Sequence, residues 1–157
     1  MTAAAEAHHA TGAPIAVHTE LGTGALDVLD LLCGERGVPP DRVILGHLNR
    51  SPDQRIHREV AQAGAFIAFD GPSRANHATD WRLLDSIAAL AETGHGGQLL
   101  LGADTTTARA RASTGEGPGM PFLLRVLRPR IERELGDALA HDIFVANPAR
   151  AFATDWP

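Results

Sequence analysis

Residues 42–70 read RVILGHLNRSPDQRIHREVAQAGAFIAFD, and this stretch decides the fold. Arg42 to His47 and Ala65 to Asp70 are apolar runs of strand length, each closing on a polar residue. Between them Asp53 to Ala63 places Ile56 and Val60 four residues apart, the spacing of one helix face. Ser51 before Pro52 reads as the helix start and Gly64 as its stop. A helix joining two adjacent strands is a crossover, so the strands are expected to be parallel.

The pattern repeats in both directions. Pro14 to His18 (PIAVH) and Gln98 to Asp104 (QLLLGAD) are two further strand-length runs. Gly24 to Arg36, Asp80 to Thr93 and Met120 to Leu135 have helical periodicity, with Gly37 and Gly94 as stops and Thr79 and Asp80 as a start. Pro129 is expected to kink the last long helix, and Asn147 followed by Pro148 reads as another helix start. The alanine-rich residues before Pro14 look like the tail of a helix. The order is βαβαβαβα, an α/β chain with a parallel sheet covered on both faces.

With 157 residues the chain is expected to form a single domain, 1–157. A doubly wound open sheet fits that length, yet HTELGTG after the first strand lacks the G-x-G-x-x-G spacing of a dinucleotide site. The strand ends favour part of a (β/α)8 barrel, whose enzymes gather polar groups at the C-terminal ends of their strands. Composition narrows the function. The net charge is −5 and all fourteen basic residues are arginine, which argues against nucleic-acid binding and removes Schiff-base and Walker-type lysine chemistry. Arg125, Arg128, Arg130 and Arg133, interleaved with apolar residues, read as a solvated helix face. A lone cysteine, Cys33, makes no internal disulfide and reads as helix packing. No apolar run reaches the roughly 20 residues of a membrane span, so the chain reads as cytoplasmic.

The chemistry lies at the strand ends. Counting back by two from His18, His47, Asp70 and Asp104 places Ala16, Val43 with Leu45, Phe66 with Ala68, and Leu100 with Gly102 on the same face. Two imidazoles and a carboxylate at one mouth match the donors of a catalytic zinc site or of a two-histidine, one-carboxylate iron site. Hydrogen-bonded strand termini are the simpler reading. The other histidines, His8, His9, His57, His77, His95 and His141, read as structural or solvated.

The segments VHTELGTGALDVLD, RVILGHLNRSPD, GAFIAFDG, LLLGADTTTAR, GEGPGMPFLL and VANPARAF, in this order, resemble the phosphotriesterase family of metal-dependent hydrolases in the amidohydrolase superfamily. The resemblance implies strands five to eight of a (β/α)8 barrel and two divalent metals, most simply zinc. It implies that His18 and His47 hold the more exposed metal. Asp104 would hold the other and take a proton from the bridging water. The substrate would be a small phosphoester, lactone or carboxylic ester, with Asp70 and Arg74 orienting it and the loop from Thr105 to Pro121, with Arg109 and Arg111, shaping the pocket. A solvated or ion-paired role for Asp70 and Arg74, and a plain mobile loop, are the simpler alternatives.

The resemblance also has gaps. The family's first-strand His-x-His pair and bridging lysine have no counterpart, and the acidic and histidine positions of its proton relay look like Arg50 and Gly71. The chain therefore reads as the C-terminal half of a barrel, incomplete as an enzyme by itself, or else as a non-catalytic, partner-binding remnant. Val43, Leu45, Phe66 and Leu100 would face the missing half, and exposing each would forfeit about 1.5–3 kcal/mol. Self-association or an N-terminal barrel half is expected to cover them.

Overall fold

Strand β1 (Ile15–His18) pairs in parallel with β2 (Val43–Gly46), β2 with β3 (Phe66–Asp70), and β3 with β4 (Leu99–Gly102). The order in space is the order in sequence. This is a computed structural model, and it describes residues 1–70, 77–105, 107–111, 113, 115, 117 and 119–154. Arg74 and Gly71 lie outside the described residues.

Alternation along each strand makes two faces. Leu45, Ile67 and Leu99 are in register and fully buried beneath the helices, together with Leu32, Val60, Ile87 and Ile131. The helices are α1 (Thr2–Thr11), α2 (Ala25–Leu29), α3 (Gln54–Gln62), α4 (His77–Asp80), α5 (Leu83–Glu92), α6 (Gly119–Phe122), α7 (Arg128–Leu135), α8 (Asp137–His141) and α9 (Asn147–Ala151). Wider π-helical turns follow α2 at Asp30–Glu35, join α6 to α7 at Leu123–Leu127 and join α8 to α9 at Asp142–Ala146.

The opposite face carries Ala16, His18, Ile44, Gly46, Phe66, Ala68, Asp70, Leu100 and Gly102. The expected set is thus corrected in β2. Val43 and Leu45 belong to the helix-covered face, because His47 lies one residue beyond the strand in a left-handed conformation (φ 66°) and breaks the count by two. The expected exposure is corrected as well. Ile44, Phe66 and Leu100 are only 4–5% exposed, since Ala151 of α9 packs with them. Much of the apolar surface assigned to a missing half is covered by the chain's own C-terminal helix.

Other local readings also shift. The cap of α3 is Asp53, whose carboxylate accepts from the Arg55 amide at 2.9 Å, rather than Ser51. The expected helix from Asp80 is divided by a turn at Trp81 and Arg82, where the Arg82 amide donates to the Thr79 carbonyl. Pro129 falls in the first turn of α7, directly after a π turn.

Asn147 is not a helix start. The residue before it is already helical, and the fully buried Asn147 amide donates to the carbonyls of Gly96 and Leu99, both at 2.8 Å. It fastens α9 to the head of β4. No helix among the described residues is long and apolar enough to cross a membrane.

Candidate active site at the strand mouth

His18 ends β1 with its side chain exposed, and its Nε2 lies 3.1 Å from Glu20 Oε2. Its ring meets that of His47 edge to face, with centroids 4.4 Å apart. Thr19 anchors this corner: its hydroxyl donates to the Gly46 carbonyl at 2.6 Å.

His47 is held by Asp70. The backbone N–H of His47 donates to Asp70 Oδ2 at 2.6 Å, which pins the left-handed turn. The His47 Nδ1 lies 2.7 Å from the same oxygen but out of line for a hydrogen bond, and stays buried without a hydrogen-bond partner. Asp70 is itself fixed by reciprocal bonds with Asn49. The Asn49 amide donates to the Asp70 carbonyl at 3.0 Å, and its oxygen accepts from the Asp70 amide at 3.1 Å. Gly102 makes room for the carboxylate, since a Cβ there would collide with Asp70 Oδ1. Burial raises the Asp70 pKa above the ordinary carboxylate value. His47 and Arg50 oppose that rise and Asp104 adds to it.

Asp104 lies two residues beyond β4, also left-handed (φ 46°). Its Oδ2 accepts from the Arg50 guanidinium, and both side chains are largely buried, at 14% and 9% exposure. Beneath the polar mouth the inner face forms a hollow of about 390 Å³ lined by Ala16, Ile44, Ala68, Leu100 and Phe152.

The structure thus brings His18, His47 and Asp70 together and sets Asp104 at the same mouth with Arg50 upon it. Thr19, Asn49 and Arg50 complete the arrangement; sequence reasoning placed Arg50 there only as the residue standing at the family's acidic relay position, and assigned Thr19 and Asn49 no place in it. The segment HLNRSPD gave a signal, because polar side chains two and three residues beyond a strand-end histidine fall at the same mouth.

As placed, the residues do not make a metal centre with three donors. Two imidazoles adjoin, and the orphaned His47 Nδ1 suits a cation. Among the described residues, however, no group of three histidine, cysteine or carboxylate side chains is placed to hold a metal ion, and Asp104 is taken by Arg50.

The model of the phosphotriesterase family matches residues 1–152. The chain belongs to the phosphotriesterase family. It is 32% identical over 152 residues to a phospho-furanose lactonase of Mycoplasmopsis synoviae, covering 92% of this chain and 43% of that one. It is similar to a lactonase from Listeria monocytogenes, with a TM-score of 0.92 and 34% identity over 98% of this chain and 48% of that one. The phosphotriesterase homology protein of Escherichia coli gives a TM-score of 0.88 at 29% identity, over 97% of this chain and 52% of its own. The chain spans about half the length of these phosphotriesterase-family relatives, and its four βα units form half of a (β/α)8 barrel.

Proposed function

We propose that the chain carries the second half of the active site of a hydrolase acting on small esters, with a lactone as the leading substrate class. The observation that supports this most is the cluster at the strand mouth. His18, His47 and Asp70 stand over an apolar hollow, each fixed by the end of its own strand. Relatives named as lactonases favour lactones among esters. Within this half, His18 and His47 offer a nitrogen pair to a cation or to substrate. Asp70 orients His47, and the hollow takes the apolar body of the substrate. The family's divalent metal supplies Lewis acidity when bound.

A second reading has its own support. The pairing of Asp104 with Arg50, and the lack of a third donor beside the histidines among the described residues, suit a partner-binding half-barrel without catalysis. One assay separates the two. The chain is given zinc, cobalt or manganese with a lactone, an aryl ester or an aryl phosphotriester, alone and then together with the N-terminal half of a related barrel. Lactone turnover that appears with the second half and is lost in His18→Ala and His47→Ala supports the hydrolase. A stable complex with no turnover of any substrate supports the binding module.

A further inference from the structure

His57 lies beneath the strand mouth rather than at it. It stands one turn into α3, 1% exposed, where its backbone N–H donates to the carbonyl of the cap residue Asp53. Its Nε2 donates to the Leu48 carbonyl at 2.9 Å, and its ring packs against Phe69 with centroids 5.0 Å apart. Leu48 sits between His47 and Asn49, and Phe69 immediately precedes Asp70. One imidazole therefore touches both backbone segments that carry the mouth. The first is the 3-10 turn Leu48–Arg50, whose Asn49 clamps Asp70 and whose Arg50 holds Asp104. The second is the end of β3.

Nothing in the hydrogen bonding demands a histidine here for stability. The Leu48 carbonyl also accepts from the Ser51 amide at 3.2 Å, so an apolar residue at position 57 would leave that carbonyl paired. The ring meanwhile buries a second nitrogen, Nδ1, which has no hydrogen-bond partner among the described residues. A buried unpaired polar atom is a cost that a leucine avoids while filling a similar volume. What the imidazole adds is direction: its bond is the shorter of the two on the Leu48 carbonyl and ties the turn to a rigid helix. We infer that His57 is the positioning residue of the strand mouth, holding the Leu48 carbonyl so that the turn presents Asn49 to Asp70 and keeps the His47 amide on the Asp70 carboxylate. Its bearing on turnover rests on the hydrolase reading, whereas its hold on the turn does not.

The test compares His57→Leu and His57→Gln with the wild-type chain by urea unfolding and by amide exchange, at about pH 7.5 where the imidazole is neutral in folded and unfolded chains. His57→Leu should be at least as stable as wild type. Its His47 and Asp70 amides, which donate to Asp70 and to Asn49, should nevertheless exchange at least about tenfold faster, while those of Leu45 and Ile67 keep their rates. Glutamine, whose side-chain amide can donate to the same carbonyl, should restore most of that protection. Unchanged His47 and Asp70 amides in His57→Leu, or a stability loss that speeds mouth and core amides alike, would overturn the inference. Should His57→Leu fail to fold, His57→Met takes its place in the same comparison. In the lactone assay with the N-terminal half, His57→Leu should lower kcat at least about tenfold with little change in KM, and an unchanged kcat would overturn the part that concerns turnover. Absence of turnover in every chain, the wild type included, would instead remove the hydrolase reading and leave the exchange rates to decide the positioning.

Discussion

Asp70 reaches from the end of one strand to the backbone amide of His47 just past the end of the next, at 2.6 Å. A carboxylate thus sets the backbone geometry of a histidine as well as its electrostatic surroundings. Losing this acceptor should cost what a hydrogen bond to a charged group contributes, about 1.5–3 kcal/mol, in Asp70→Ala. Burial holds the Asp70 pKa high, so a neutral side chain with an acceptor oxygen is well tolerated there, and Asp70→Asn should lose less than half as much. Urea denaturation of the two variants checks the order, and equal losses would contradict it.

His57 supplies a pH dependence. Its ring is buried against Phe69, with Nε2 donating to the Leu48 carbonyl at 2.9 Å, and burial lowers its pKa below 6.5. The unfolded chain therefore takes up the proton first as pH falls. The stability tied to neutral His57 is complete above about pH 6.5 and declines below it, with a slope of at most about 1.4 kcal/mol per pH unit until the folded form titrates too. His57→Gln should flatten this decline in urea midpoints measured from about pH 7.5 to 5.5. An unchanged slope would place the dependence elsewhere.

Asn147→Ala should destabilise the chain by about 1–3 kcal/mol, the loss of two hydrogen bonds, to the carbonyl of Leu99 and to that of Gly96, which keeps the Leu99 amide as a donor. Asn147→Asp should be no better, since a carboxylate has no hydrogen to donate. The readout is the urea midpoint, with amide exchange of β4 as a local check.

Ala16 tests the association surface. It lies exposed on the inner face of β1, a strand with one edge unpaired among the described residues. Arginine there should leave the chain's own stability within about 0.5 kcal/mol and block docking of an N-terminal barrel half. Sedimentation velocity of the mixture would show a complex with the wild-type chain and separate species with Ala16→Arg. A complex in both would move the contact to another surface.

The four strands, their parallel order and most helices were legible because β-branched and helical periodicities both survive in short segments, as in Val43–Gly46 and Gln54–Gln62. Boundaries at special backbone positions were not. His47 and Asp104 look like the last residues of strands, yet both are left-handed and lie beyond them, and for His47 this shifts the alternation by one residue. Asn147 before a proline has the form of a helix start, while its partners are carbonyls about 50 positions away in sequence. The Arg50–Asp104 pair joins residues 54 positions apart, which no local pattern reveals.

The π turn at Asp142–Ala146 acts as a phase shifter for everything after it. One surplus residue in a helix rotates the following side chains by about 100° relative to regular winding. Asn147 follows directly, so its aim at the head of β4 depends on that extra residue. Deleting the exposed Val145 from this turn would remove no buried side chain, yet it would swing the amide off its two carbonyls and turn Ala151 away from Ile44, Phe66 and Leu100. In this segment residue count is as strict a requirement as residue type.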